Sequence, residues 1–79
     1  MLHDFELFKI SKIVELAATK MSELNFSSYM LVSVAWDDDE NQWGVKFYSD
    51  YGTFEYTTVF VVQINDEKFR LSGYTHDNE

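Results

Sequence analysis

Between Leu24 and Tyr29 the spacing of apolar residues changes period, and no other feature constrains the fold as strongly. Before that point Leu7, Ile10, Val14, Ala17, Met21 and Leu24 recur three or four residues apart, and Ile13 and Leu16 widen the stripe. This is the period of an amphipathic helix. Asp4, Ser11, Glu15, Thr19 and Ser22 fall on the opposite face, and Asp4 and Glu6 sit where acids favour the helix dipole. Phe5 and Phe8 lie off the stripe. Asn25 and the serines after it lower helix propensity, so the spacing predicts a helix over residues 4–24.

Beyond Leu24 the period is two, and four runs read as strands: residues 28–36, 42–49, 53–64 and 67–74. Met30, Val32, Val34 and Trp36 share one face of the first, and Trp43, Val45 and Phe47 one face of the second. In the third, Phe54, Tyr56, Phe60, Val62 and Ile64 are the set expected to face the helix, and in the fourth Phe69 and Leu71. Asp37–Asn41, Asp50-Tyr51-Gly52 and Asn65-Asp66 are turn-forming connections too short for a crossover. The expected architecture is α+β: one N-terminal helix packed on a four-stranded antiparallel meander, with residues 75–79 as a loose tail. No proline, repeat or low-complexity run marks a boundary, so residues 1–79 read as one domain.

A chain of 79 residues buries a modest core, and without cysteine it has no disulfide to add stability. Phe, Tyr and Trp make up 18% of it, enough large side chains to build that core. No run approaches the ~20 apolar residues of a membrane span, and the first residues lack the pattern of a signal peptide. A cytoplasmic protein that meets no membrane is the expectation.

The charge is uneven. Fourteen acids against six bases give a net charge of −8, which repels nucleic acid and attracts basic protein surfaces. In a meander, alternate connections share one end of the sheet. The loop Asp37, Asp38, Asp39 and Glu40 is therefore expected beside the turn Asp66 and Glu67, with Asp4 and Glu6 at the helix N-terminus. Eight of the 14 acids would then collect at one pole, with Lys68 as the one base expected near them. Asp and Asn are also ordinary turn residues, so a set of solvated loops is the plain alternative. A second candidate surface is the sheet face turned from the helix, where Tyr29, Leu31, Tyr48, Val59, Val61 and Tyr74 are expected to mix with Lys46 and Arg70. Tyrosine-rich patches suit protein contacts, including a homodimer.

Catalytic and cofactor chemistry finds no frame. Asp37, Asp39 and Asn41 alternate as an EF-hand loop begins, but Gln42 stands where glycine is needed and Tyr48 where a bidentate Glu belongs. Two histidines, His3 and His76, lie near opposite ends, and no cysteine joins them, which argues against zinc. Gly44, Gly52 and Gly73 are far apart and start no helix, so no phosphate loop is present. No Ser-His-Asp arrangement is suggested, and no cleft for paired carboxylates is expected. Aromatics without flanking Lys and Arg do not make a nucleic-acid platform. No catalytic residue, metal ligand or cofactor is assigned.

The expected function is that of a small acidic inhibitor. It would occupy the basic surface of a nucleic-acid-handling protein, with carboxylates where phosphates would go. Immunity proteins against nuclease toxins and phage-encoded anti-defence proteins are similar in type, being small, acidic and poor in cysteine. The alternative is a structural or adaptor subunit that self-associates or docks through the tyrosine-rich face.

Overall fold

In the computed structural model one helix, α1 (Asp4–Glu23), packs on one face of a four-stranded antiparallel sheet. The strands are β1 (Met30–Asp37), β2 (Gln42–Tyr48), β3 (Tyr56–Gln63) and β4 (Phe69–Asp77), in the order β1-β2-β3-β4. The structure describes residues 4–26, 28–49, 55–65 and 68–77, with helix side chains from Lys9 onward. The α+β meander expected from the change of period is the fold observed.

The helix ends as its last residues dictate. Asn25 adopts φ 70°, the left-handed conformation that asparagine tolerates better than most residues. This lets the Asn25 N–H donate to the Ser22 carbonyl and the Phe26 N–H to the Met21 carbonyl, each at 3.0 Å. These two bonds form a Schellman motif. They satisfy carbonyls that the helix leaves open and turn Phe26 back onto the core. The helix lies over β2, β3 and β4.

The core forms where Ile13, Ala17 and Met21, spaced four residues apart along α1, meet Val45, Phe47, Val59 and Val61 of the sheet. Ala17, the smallest of the three, is wholly buried at the centre of this line. Val34, Trp43, Phe69 and Leu71 pack at the margin of this cluster. Val14 and Ile10, expected at its centre, are half-buried, because the buried line of the helix runs through Ile13 instead.

The faces of β3 are opposite to expectation. Thr57, Val59 and Val61 are buried beneath the helix, while Tyr56, Phe60 and Val62 belong to the uncovered face, and Ile64 is exposed beyond the strand. Both alternating sets of this strand are apolar, so its own pattern cannot choose between them. The choice is transmitted by β2, whose alternation of Val45 and Phe47 with Lys46 has one sensible orientation. Val45 pairs with Val59, Trp43 with Val61 and Phe47 with Thr57. Residues directly opposed in an antiparallel pair share a face.

Two bulges alter the faces further. The β1–β2 register shifts between Leu31 and Ser33, so Val32 is the extra residue. Leu31, opposite Phe47, therefore lies on the helix side, while Met30, opposite Tyr48, does not. In β4 the shift falls at Ser72, between Leu71 and Gly73, and it carries Tyr74 to the helix side opposite Val59. β4 also runs three residues past its expected end, to Asp77. His76 is held there by a 2.9 Å hydrogen bond between its Nδ1 and Thr57 Oγ1, and its ring meets Phe26 and Tyr74. The segment expected to be a tail is thus part of the sheet as far as Asp77. Trp36, expected in the core, is 42% exposed because β1 extends beyond the strands that the helix covers.

Candidate functional site

The meander sets the positions of the acids. β1 ends and β2 begins at the same end of the sheet as the connection between β3 and β4. The short link from α1 into β1 makes the helix antiparallel to that strand, so the helix N-terminus points toward this end too. Asp37, Asp38, Asp39 and Glu40 lie here. Asp66 and Glu67 fall outside the described residues, but Asn65 and Lys68 on either side of them are at this end. Asn65 makes a tight turn in which its Oδ1 accepts the Lys68 N–H at 3.0 Å. The side chains of Asp4 and Glu6 also fall outside the described residues. Lys9 and Lys12, in the first half of the helix, add two bases toward this end, where Lys68 alone was expected.

Within the loop the four acids divide into two pairs. Asp37 Oδ1 accepts the N–H of Asp39 at 3.0 Å and that of Glu40 at 3.4 Å, an Asx turn. Asp38 Oδ1 accepts the indole N–H of Trp36. These two carboxylates shape the loop, and Asn41, at φ 55°, closes it. The carboxylates of Asp39 and Glu40 are exposed and make no hydrogen bond or ion pair among the described residues. The loop is therefore a braced turn that holds two carboxylates toward solvent. The Trp36 ring leans edge-on against Trp43 at 5.2 Å, placing an exposed aromatic directly beside the acids. Trp43 Nε1 is buried without a hydrogen-bond partner among the described residues.

The second candidate set is not one surface. Tyr29 lies on the helix side, its hydroxyl donating to the Ala18 carbonyl at 3.4 Å and its ring edge-on to Phe47. Leu31 and Tyr74 are on that side as well, and Lys20 Nζ lies 5.3 Å from the centre of the Tyr74 ring. Val59 and Val61 are wholly buried in the core. Of the six residues only Tyr48 remains on the uncovered face.

Around Tyr48, the uncovered face is built from other residues. Pairing places Met30, Tyr48, Tyr56, Phe60 and Val62 there together. The Tyr48 and Tyr56 rings meet edge-on at 5.5 Å, and Lys46 Nζ lies 4.4 Å from the centre of the Tyr56 ring. Phe60 is opposed by Gly44 on one side and Gly73 on the other, and its ring edge lies 3.8 Å from where a Cβ on Gly44 would stand, while the space above Gly73 is open. Gly44 within a strand is the sequence signal for this arrangement, since strand glycine often marks a place where a neighbour lies over the backbone.

A shallow depression of about 270 Å³ is lined by Ser28, Tyr29, Met30, Tyr48 and Ser49. It lies at the end of the sheet opposite the acidic loop, so the two do not form one site. Ser49 closes its floor by donating its hydroxyl to the Ser28 carbonyl at 3.0 Å. Among the described residues no three His, Asp or Glu side chains come together as a metal site would require. No helix among them is long and apolar enough to cross a membrane.

No protein-family model matches the sequence, and neither a curated protein nor a solved structure matches it.

Proposed function

We propose that this chain is a protein-binding inhibitor that docks its acidic end against a basic surface, of the kind that receives nucleic acid on a nucleic-acid-handling protein. The observation that carries this reading is the braced loop. Asp37 and Asp38 spend their carboxylates on the loop's own shape, and Asp39 and Glu40 are held toward solvent beside Trp36. A shaped loop loses less entropy on docking than a free one. Carboxylates beside an exposed tryptophan combine long-range steering with a contact residue typical of binding hot spots.

The test uses Asp37→Asn, Asp38→Asn and Asp39→Asn together. Asparagine keeps the side-chain oxygens that accept the loop's hydrogen bonds while removing three charges. The tagged wild-type chain should retain a basic protein from host lysate at low salt, and a duplex DNA fragment should displace it. With the captured protein purified, the triple variant should associate on the order of tenfold more slowly, with a flatter salt dependence. Equal rates for the two proteins would refute the reading.

A second reading, a subunit docking through the uncovered sheet face, is favoured by the grouping of Met30, Tyr48, Tyr56, Phe60 and Val62 there. Under it, Tyr48→Ala and Tyr56→Ala would weaken capture and the acidic substitutions would not.

A further inference from the structure

We infer that β1 is a self-pairing edge, through which two copies of this chain join their sheets antiparallel about a two-fold axis at Ala35. This goes beyond the acidic-end reading and does not rest on it. An open sheet has two edges with unpaired backbone N–H and C=O groups, and proteins usually protect them with charges, bulges or cover. Both edge strands carry one bulge and end on an aspartate, but β4 also bears a charge within its span, Arg70. β1 carries no charge from Met30 to Trp36, and the helix lies over the other three strands. Met30 is 62% exposed, Val32 49%, Leu31 46% and Trp36 42%, a concentration of exposed apolar side chains that no other strand has.

The occupant follows from register and charge. The bulge at Val32 leaves Ser33–Asp37 as the regular part of the strand, five residues centred on Ala35. Antiparallel self-pairing about Ala35 uses all five. It sets Val34 against Trp36 of the second copy, Ser33 against Asp37, and Ala35 against itself. Each pair shares a face, as the pleat requires, because Val34 and Trp36 are on the helix side and the other three are not. The two Val34–Trp36 pairs are of the aromatic and β-branched kind that stabilises neighbouring strands. A two-fold axis at Val34 would instead set Trp36 against the bulged Val32. One at Trp36 would bring the two Asp37 side chains within about two residues, ~7 Å along the strand. About Ala35 they are four residues apart, ~14 Å, beyond the ~8 Å screening length of physiological salt. A chain of net charge −8 thus finds in this register a self-contact that keeps its acidic loops apart.

The absence of cysteine makes the test clean. Ala35→Cys places one thiol from each copy across the axis, and mild oxidation should give a disulfide dimer at high yield. Thr75→Cys, on the opposite edge strand, should give none. In sedimentation the wild-type chain should show a concentration-dependent monomer–dimer equilibrium. Ala35→Lys sets two ammonium groups face to face on an exposed position and should weaken the dimer by about tenfold or more, with unchanged circular dichroism. Should the lysine variant fail to fold, the crosslink decides. A wild-type chain that stays monomeric up to its solubility limit overturns the inference. So does a dimer that Ala35→Cys does not crosslink; β1 would then be open to a strand of another protein.

Discussion

Phe47 and Phe60 are the same residue type in neighbouring strands, yet they occupy different environments. Phe47 is 2% exposed, covered by the helix and met edge-on by Tyr29. Phe60 is half-buried on the uncovered face, its ring beside Gly44. Truncating Phe47 to alanine leaves a cavity that the surrounding core cannot fill, and should cost about 3–5 kcal/mol. Truncating Phe60 removes partial burial and opens no enclosed cavity, and should cost about 1 kcal/mol. Urea unfolding of the two variants checks this; equal losses would mean that both rings lie in the core. From the sequence, Phe60 is the more natural core residue of its strand because it is the largest side chain there without a polar atom. Thr57 was the least natural, and it is buried because His76 supplies its hydrogen-bond partner across the β3–β4 ladder. A buried polar group needs such a partner, and no local pattern shows one 19 residues away.

At the scale of elements, the helix end was legible and the strand faces were only partly so. Asn25 was expected to stop the helix, and it does so by entering the left-handed region. Asn25→Gly should leave the melting temperature unchanged or raise it slightly, since glycine adopts this conformation freely. Asn25→Val should lower stability by about 1–2 kcal/mol, because a β-branched residue resists positive φ. Equal melting temperatures for the two variants would show that the Schellman turn contributes nothing. The faces of β2 are legible because Lys46 marks one of them as wet. β3 carries no such mark, and the face it buries, with Thr57, Val59 and Val61, is the reverse of the expected one. β1 and β4 each contain a bulge, which shifts every residue beyond it by one position relative to strict alternation. Met30 and Leu31 on one strand, and Tyr74 on the other, therefore changed faces.

For the whole molecule, the meander accounts for both the acidic end and the exposed edge. Antiparallel neighbours in sequential order bring the first and third connections of the sheet to one end, and the acids of residues 37–40 follow. Like charges held close destabilise a compact state, and salt screens that repulsion. Asp37→Asn, Asp38→Asn and Asp39→Asn together should therefore melt at or above the wild-type temperature in low salt. Added salt should raise the wild-type melting temperature more than that of the variant. A variant that melts lower and gains no less from salt would mean that these charges stabilise the fold. The same topology leaves β1 beyond the helix, because a single helix is too narrow to cover four strands. The exposure of Trp36 and Val32 follows from that geometry, not from any polarity in their sequence.

By itself the sequence determined the helix, the four strands, their antiparallel order and the end of the sheet at which the acidic loop lies. These are consequences of local periodicity and of connections too short to cross over. Tertiary structure alone decided which alternating set of β3 is buried, where the bulges fall, that β4 continues to Asp77 and that β1 lies outside the helix's cover. The physical reason is that both faces of β3 are apolar. Backbone propensity then leaves them equivalent, and only registered pairing with β2, together with the width of one helix, distinguishes inside from outside.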